Sequence, residues 1–348
     1  METKKKPSKS NTPTSKPASG QSQQASWLPQ EASTLMRLPQ EIRDMIYSEL
    51  FFSIQISYSG HMDLGTTPNA LALLRTCRRV HSEVGNSWVG KVLYKFGSSR
   101  GMLNKLANVS AETISLIRYM FVAGDCLRVP FEEDEVFYRL YEALGLLPGL
   151  KLDRLTVWAC PPFCVAYQTV TKLINSGSGW KELHFTSPCS DFLSYEIDDE
   201  EEEDFDHDDY RRKPQPSDWQ KQLYDRDGSL SSPSVAIYRA KTADVNVDML
   251  DPDQRAPFEQ RLKPGQTVEE FAKEFYDSLR TDDELLTKAL VVVKRGHGVE
   301  YKQRYDPDNA IRVDVSKNTW PEIKTYLETR YPEFDHNLEE KEYYGVIG

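Results

Sequence analysis

The chain has 348 residues, 39% of them hydrophobic, which is enough to bury the core of one large domain or two small ones. Its net charge is −11, but eleven acidic residues sit in the single run Glu196–Asp209, so the rest of the chain is neutral and lacks the cationic face that nucleic-acid binding requires. No apolar run reaches the roughly 18 residues of a membrane span, and no apolar segment follows the N-terminal lysines as in a secretory signal.

Residues 1–30 are expected to be a disordered tail. They are rich in Lys, Ser, Thr, Pro and Gln, and offer too little apolar surface to offset chain entropy. Lys4, Lys5, Lys6 and Lys9 form a short basic patch, read either as a solubilising tail or as a nuclear signal.

A helix should begin at Leu38-Pro39, since proline at the first helical position gives up an N–H that has no partner there. Ile42, Ile46 and Leu50 then recur every four residues and share one face. The strand-like run Phe51–Tyr58 and a Gly/Thr/Pro loop follow. A second amphipathic helix is expected over Ala70–Val84, with Leu73, Cys77, Val80 and Val84 as its stripe. Two such short helices cannot bury their stripes alone and must pack on each other or on later parts of the chain.

These two segments resemble an F-box, and more closely the F-box-like module of a large group of filamentous-fungal proteins. The first half of that pattern is met by Leu38, Pro39, Glu41, Ile42, Arg43, Ile46 and Tyr47. The second is met by Ala72, Leu73, Leu74, Arg75, Thr76, Cys77, Arg78, Val80 and Glu83. Val92–Phe96 is similar to the Leu-Tyr element that comes next in that family. The resemblance covers roughly residues 35–100 and departs from a compact F-box in the length of the 51–69 link. It implies that Leu38, Pro39, Ile42, Ile46 and Leu50 contact a Skp-type adaptor of a cullin–RING ubiquitin ligase, while the rest of the chain selects an unknown protein target. The alternative is a stand-alone structural or interaction protein. In that case the same helices are core, with Ile42, Ile46 and Leu50 buried.

Beyond residue 100, three segments share an apolar-x-x-apolar-x-apolar cadence: Ile117–Val122, Leu152–Val157 and Trp180–Phe185. Helices are expected between them over Phe131–Leu147 and Pro162–Ile174. Strand–helix alternation argues for parallel strands joined by right-handed crossovers, in an α+β or α/β fold with a repeat-like body over 101–190. The cadence resembles a degenerate leucine-rich repeat without its asparagine rung.

Residues 191–234 read as an acidic, disordered insertion, within which Trp219, Leu223 and Tyr224 can dock back as a short helix. From 235 to 348 the α/β body continues. Thr267-Val268-Glu269-Glu270 and Thr281-Asp282-Asp283-Glu284 are capping boxes. Leu290–Val293 is a buried strand, Val245 and Val247 alternate, Val299–Tyr305 and Ile311–Val315 read as strands, and a last helix starts after Thr319 with Ile323, Leu327 and Tyr331 against the body.

Chemistry is sparse. Cys160, Cys164, His184 and Cys189 could in principle surround zinc, but the predicted strand and helix positions of His184 and Cys164 oppose the tight tetrahedral pairs zinc requires. Buried structural thiols are expected instead. No Walker loop, Gly-x-Gly-x-x-Gly or Gly-x-Ser-x-Gly is present, and His81 reads as a surface or half-buried histidine, not a catalyst. No cofactor, metal or catalytic residue is assigned. Five cysteines, an odd number, fit a reducing cytoplasmic or nuclear compartment.

Overall fold

The structure, a computed structural model, describes residues 33–58, 71–131, 134–159, 163–193, 215–240, 248–261, 263–277, 287–303 and 319–332. The chain divides into a small unit, Met1–Arg43, and a large unit, Asp44–Gly348. The expected N-terminal tail lies outside the described residues, as do the acidic run, the second capping box, Val245, Val247 and Ile311–Val315.

The small unit contains helix α1, Thr34–Arg37, and the start of α2, which runs from Gln40 to Phe52. Met36 and Arg43 are buried, and the Arg43 guanidinium donates to the Leu38 carbonyl, which pins the Leu38-Pro39 turn ahead of α2.

Among the described residues of the large unit, nine strands form two sheets. They are β1 Gln55–Tyr58, β2 Leu93–Phe96, β3 Tyr119–Ala123, β4 Leu127–Phe131, β5 Asp134–Tyr138, β6 Leu152–Trp158, β7 Trp180–Ser187, β8 Ser234–Arg239 and β9 Ala289–Lys294. Seven of them make the main sheet, in the order β1-β2-β3-β6-β7-β9-β8. The first five are parallel and lie side by side in chain order. When parallel crossovers keep one hand and always step the same way, their connecting segments collect on one face of the sheet.

The burial of facing residues agrees with that geometry. One row runs Tyr94, Met120, Leu155, Leu183, Val293, Val235, and the next runs Phe96, Val122, Val157, Phe185, Val291, Ile237. Every member of both rows is buried. The row between them, on the opposite face, runs Lys95, Phe121, Thr156, His184, Val292, Ala236, and is only partly enclosed. At its far end the Met249 side chain covers Leu290 and Val292.

The connecting helices are α3 Arg78–Val84, α4 Ser99–Leu106, α5 Ala111–Ile114, α6 Leu140–Gly145 and α7 Phe163–Asn175. Met102, Leu103 and Leu106 of α4 are buried, as are Ala166, Val170, Leu173 and Ile174 of α7. Further on come α8 Ser217–Asp227, α9 Pro252–Arg255, α10 Val268–Asp277 and α11 Trp320–Arg330. The last of these packs on α4, where Trp320 Nε1 donates to Asn104 Oδ1 at 3.0 Å, and Ile323 and Leu327 are buried. None of the described helices is long and apolar enough to cross a membrane.

Several expectations need correction. The helix expected over Phe131–Leu147 is instead the β4–β5 hairpin and then the short α6. Val136, Leu140 and Leu144 have helical spacing, but Val136 belongs to β5, where half-buried Val136, exposed Phe137 and buried Tyr138 obey the pleat. The segment Ala70–Val84 is not one helix. A 3-10 turn, Ala72–Arg75, is separated from α3 by Cys77, whose backbone is extended and whose Sγ accepts the Val80 N–H at 3.4 Å. The strand expected from Val299 is absent through Gln303; the chain there makes isolated bonds, Gln303 N–H to Leu150 O at 2.8 Å among them. The buried strand at Leu290–Val293 is present as β9, but it runs antiparallel to β7.

Within the insertion expected to be disordered over 191–234, the short docked helix expected around Trp219, Leu223 and Tyr224 is present as α8. Trp219 and Leu223 of α8 are buried against α7, while Tyr224 is exposed. Trp219 Nε1 donates to Thr171 Oγ1 at 3.0 Å, and the Tyr167 and Trp219 rings lie 5.6 Å apart. The helix ends in a buried ion pair. Arg295 Nε and Nη2 donate to the two Asp227 oxygens at 2.6 and 2.7 Å, and the Gly296 N–H adds a third bond at 3.1 Å. Arg226 meanwhile caps the end of α7 through the carbonyls of Ile174, at 2.6 Å, and Gly177.

Candidate functional site

Two stripes compete for the interior along α2. Ile42, Ile46 and Leu50 repeat every four residues; so do Arg43, Tyr47 and Phe51, one position on and about 100° around the helix. The second set is inside. Tyr47 and Phe51 are 3% and 0% exposed in the large unit, and Arg43 is 2% exposed in the small one. Two aromatic rings carry more apolar area than Ile46 and Leu50 and win the buried side.

The first stripe faces solvent. Met45, Ile46, Leu50 and Phe52 of the large unit are 65, 41, 40 and 49% exposed. In the small unit Ile42 is 43% exposed, Pro39 is exposed and Leu38 is half-buried. A largely apolar strip on the solvated side of a helix is unusual, because the outward face is normally polar. Met45 and Phe52 were not among the residues expected from sequence. Met45 lies three residues after Ile42, and Phe52 seven residues after Met45; these helical offsets are the signal that would have added them to the face.

Tertiary contacts join the two halves of the sequence pattern. Tyr47 OH donates to Glu83 Oε2 at 3.2 Å, and Arg79 Nε pairs with Glu83 Oε1 at 2.8 Å. Val80 and Val84 turn inward, while Arg78 and Arg79 are exposed. Thr76 Oγ1 bonds the Leu73 carbonyl at 2.7 Å, which closes the 3-10 turn just ahead of the Cys77 cap. The pattern residues Tyr47, Thr76, Cys77 and Glu83 therefore build the α2–α3 scaffold that holds the exposed strip in place. Substituting Tyr47 by Phe is expected to cost about 0.5–1.5 kcal/mol in urea unfolding, at the upper end because the acceptor is charged.

His184, one of the four candidate zinc ligands, lies beside a carboxylate of its own strand. It is buried on β7, with its Nε2 at 2.5 Å from Glu182 Oε1. Burial pushes its pKa down and so favours the neutral imidazole. The hydrogen bond from His184 in turn holds the Glu182 carboxyl down to about 2. Cys189 is buried just beyond β7; Cys160 and the Cys164 side chain lie outside the described residues. Among the described residues no three His, Cys, Asp or Glu side chains converge as metal ligands. His81 is exposed on α3.

No family model, curated protein or solved structure matches this chain.

Proposed function

We propose that this is a non-catalytic interaction protein that uses the solvent-facing side of α2 to dock a Skp-type adaptor, and so serves as a substrate receptor for a cullin–RING ubiquitin ligase. The observation that carries this reading is the outward strip of Met45, Ile46, Leu50 and Phe52, with Ile42, Pro39 and the half-buried Leu38 preceding it on the chain. Four side chains already ordered on a helix give a partner apolar area to cover at little further entropic cost. The α/β body then selects a protein target.

The competing reading, a stand-alone structural protein with these helices as core, draws on one feature. After α2 the chain passes directly into β1, which pairs with β2 at the edge of the main sheet. That reading requires Ile46 and Leu50 inside, and leaves their exposure without a purpose.

The deciding measurement is capture of purified Skp-type adaptor by the full chain. Binding is expected, and is expected to be lost on Leu38→Ala with Pro39→Ala or on Ile46→Asp. Capture that survives the Leu38/Pro39 double substitution would sink the proposal.

A further inference from the structure

One carboxylate lies in the middle of the exposed strip. Glu49 comes one helical turn after Met45 and Ile46 and one turn before Phe52, so apolar side chains border it on both sides. It is exposed, and among the described residues no hydrogen bond or ion pair engages its carboxylate. Asp44 is exposed as well, and the one cation of α2, Arg43, is buried on the other side of the helix with its guanidinium on the Leu38 carbonyl. The outward surface of the helix is therefore apolar and acidic, with no cation of its own to balance it.

In water an isolated Glu49 costs nothing. Once Met45, Ile46, Leu50 and Phe52 are covered, the same carboxylate loses its hydration, and an unpaired charge at the centre of an interface is strongly unfavourable. Binding through this strip therefore needs a compensating donor at one place only, opposite Glu49. A Lys or Arg supplies it best.

We infer that the partner of α2 is an apolar groove carrying a Lys or Arg positioned against Glu49, so that this glutamate selects the partner while the apolar side chains supply the contact area. The inference rests on the adaptor reading above and adds the chemistry of the matching surface.

The test uses the full chain with purified Skp-type adaptor, comparing Glu49→Gln, Glu49→Lys and Glu49→Leu by titration at low and high salt. Because the Glu49 carboxylate makes no bond with the described residues, all three variants should unfold at the wild-type midpoint. Glu49→Gln should weaken binding about tenfold and Glu49→Lys by about a hundredfold or more. The wild-type affinity should fall more steeply with salt than that of Glu49→Gln. Equal or tighter binding by Glu49→Gln or Glu49→Leu overturns the inference and leaves the adaptor reading standing. Failure of the wild-type chain to bind overturns both.

Discussion

Replacing Asp227 by Ala is expected to lower stability by about 3–5 kcal/mol. The carboxylate is fully enclosed, and Arg295 beside it is 4% exposed over its side chain. Removing the acid leaves a buried guanidinium, already stacked 5.6 Å from the Trp180 ring, with no counter-charge on its paired edge. Arg226 loses its neighbour too, although its bonds to the α7 carbonyls remain. The measurement is urea unfolding monitored by far-UV circular dichroism. Adding Arg295→Met should return much of the loss, because the orphaned charge and not the lost pair dominates the cost. A D227A loss below about 1 kcal/mol would mean the pair is hydrated in solution.

The same pair sets a pH dependence of known sign. Burial alone would raise the Asp227 pKa, but the hydrogen bonds from Arg295 and the Gly296 N–H, with the nearby Arg226 charge, bring it below the ordinary aspartate value. A carboxyl whose folded pKa is depressed stabilises the fold above its unfolded pKa, about 4, and that contribution is lost as pH falls below it toward the folded value. The wild-type chain should therefore lose stability more steeply below about pH 4 than D227A, which has already lost this contribution.

Neighbouring substitutions on α2 should give opposite results. Phe51→Ala removes a fully buried ring and is expected to cost about 3–5 kcal/mol. Leu50→Ala, one position earlier on the exposed strip, should change stability by no more than about 0.5 kcal/mol while weakening adaptor capture. Thermal unfolding and capture measured side by side separate the two effects. If Leu50→Ala proved the more destabilising, the helix would be rotated about its axis and the docking strip would be part of the core.

Legibility in the sequence tracked the range of the interactions. Periodicity marked α2, but two stripes one residue apart fitted the same helix, and periodicity alone does not rank Ile46 and Leu50 against Tyr47 and Phe51. The contact that settles the choice, Tyr47 to Glu83, spans 36 residues. Likewise the apolar run of β9 announced a buried strand, yet a run of Leu and Val reads the same in either direction; its polarity depends on which end of the sheet the preceding chain delivers it to. The order of α8 was legible only through Trp219, Leu223 and Tyr224, of which Tyr224 stays exposed. The helix's neighbours are acidic and Pro-rich, while the groups that hold it, Thr171 and Arg295, lie 48 and 68 residues from their partners.

What the residues determined unaided were features closed within a turn or along one strand. The Thr267–Glu270 capping box forms in both directions, at 2.9 and 3.1 Å, because both partners lie three positions apart. The strands Leu152–Trp158 and Trp180–Ser187 and the intervening helix Phe163–Asn175 came out close to their expected bounds, since local pattern and burial agree there. The tertiary structure decided which side of α2 is core and which is left for a partner, and whether a charged, loop-like insertion carries a docked helix. Both are competitions for a limited interior, and they are won by side chains distant in the chain whose ring area or charge meets its match only after the sheet has formed.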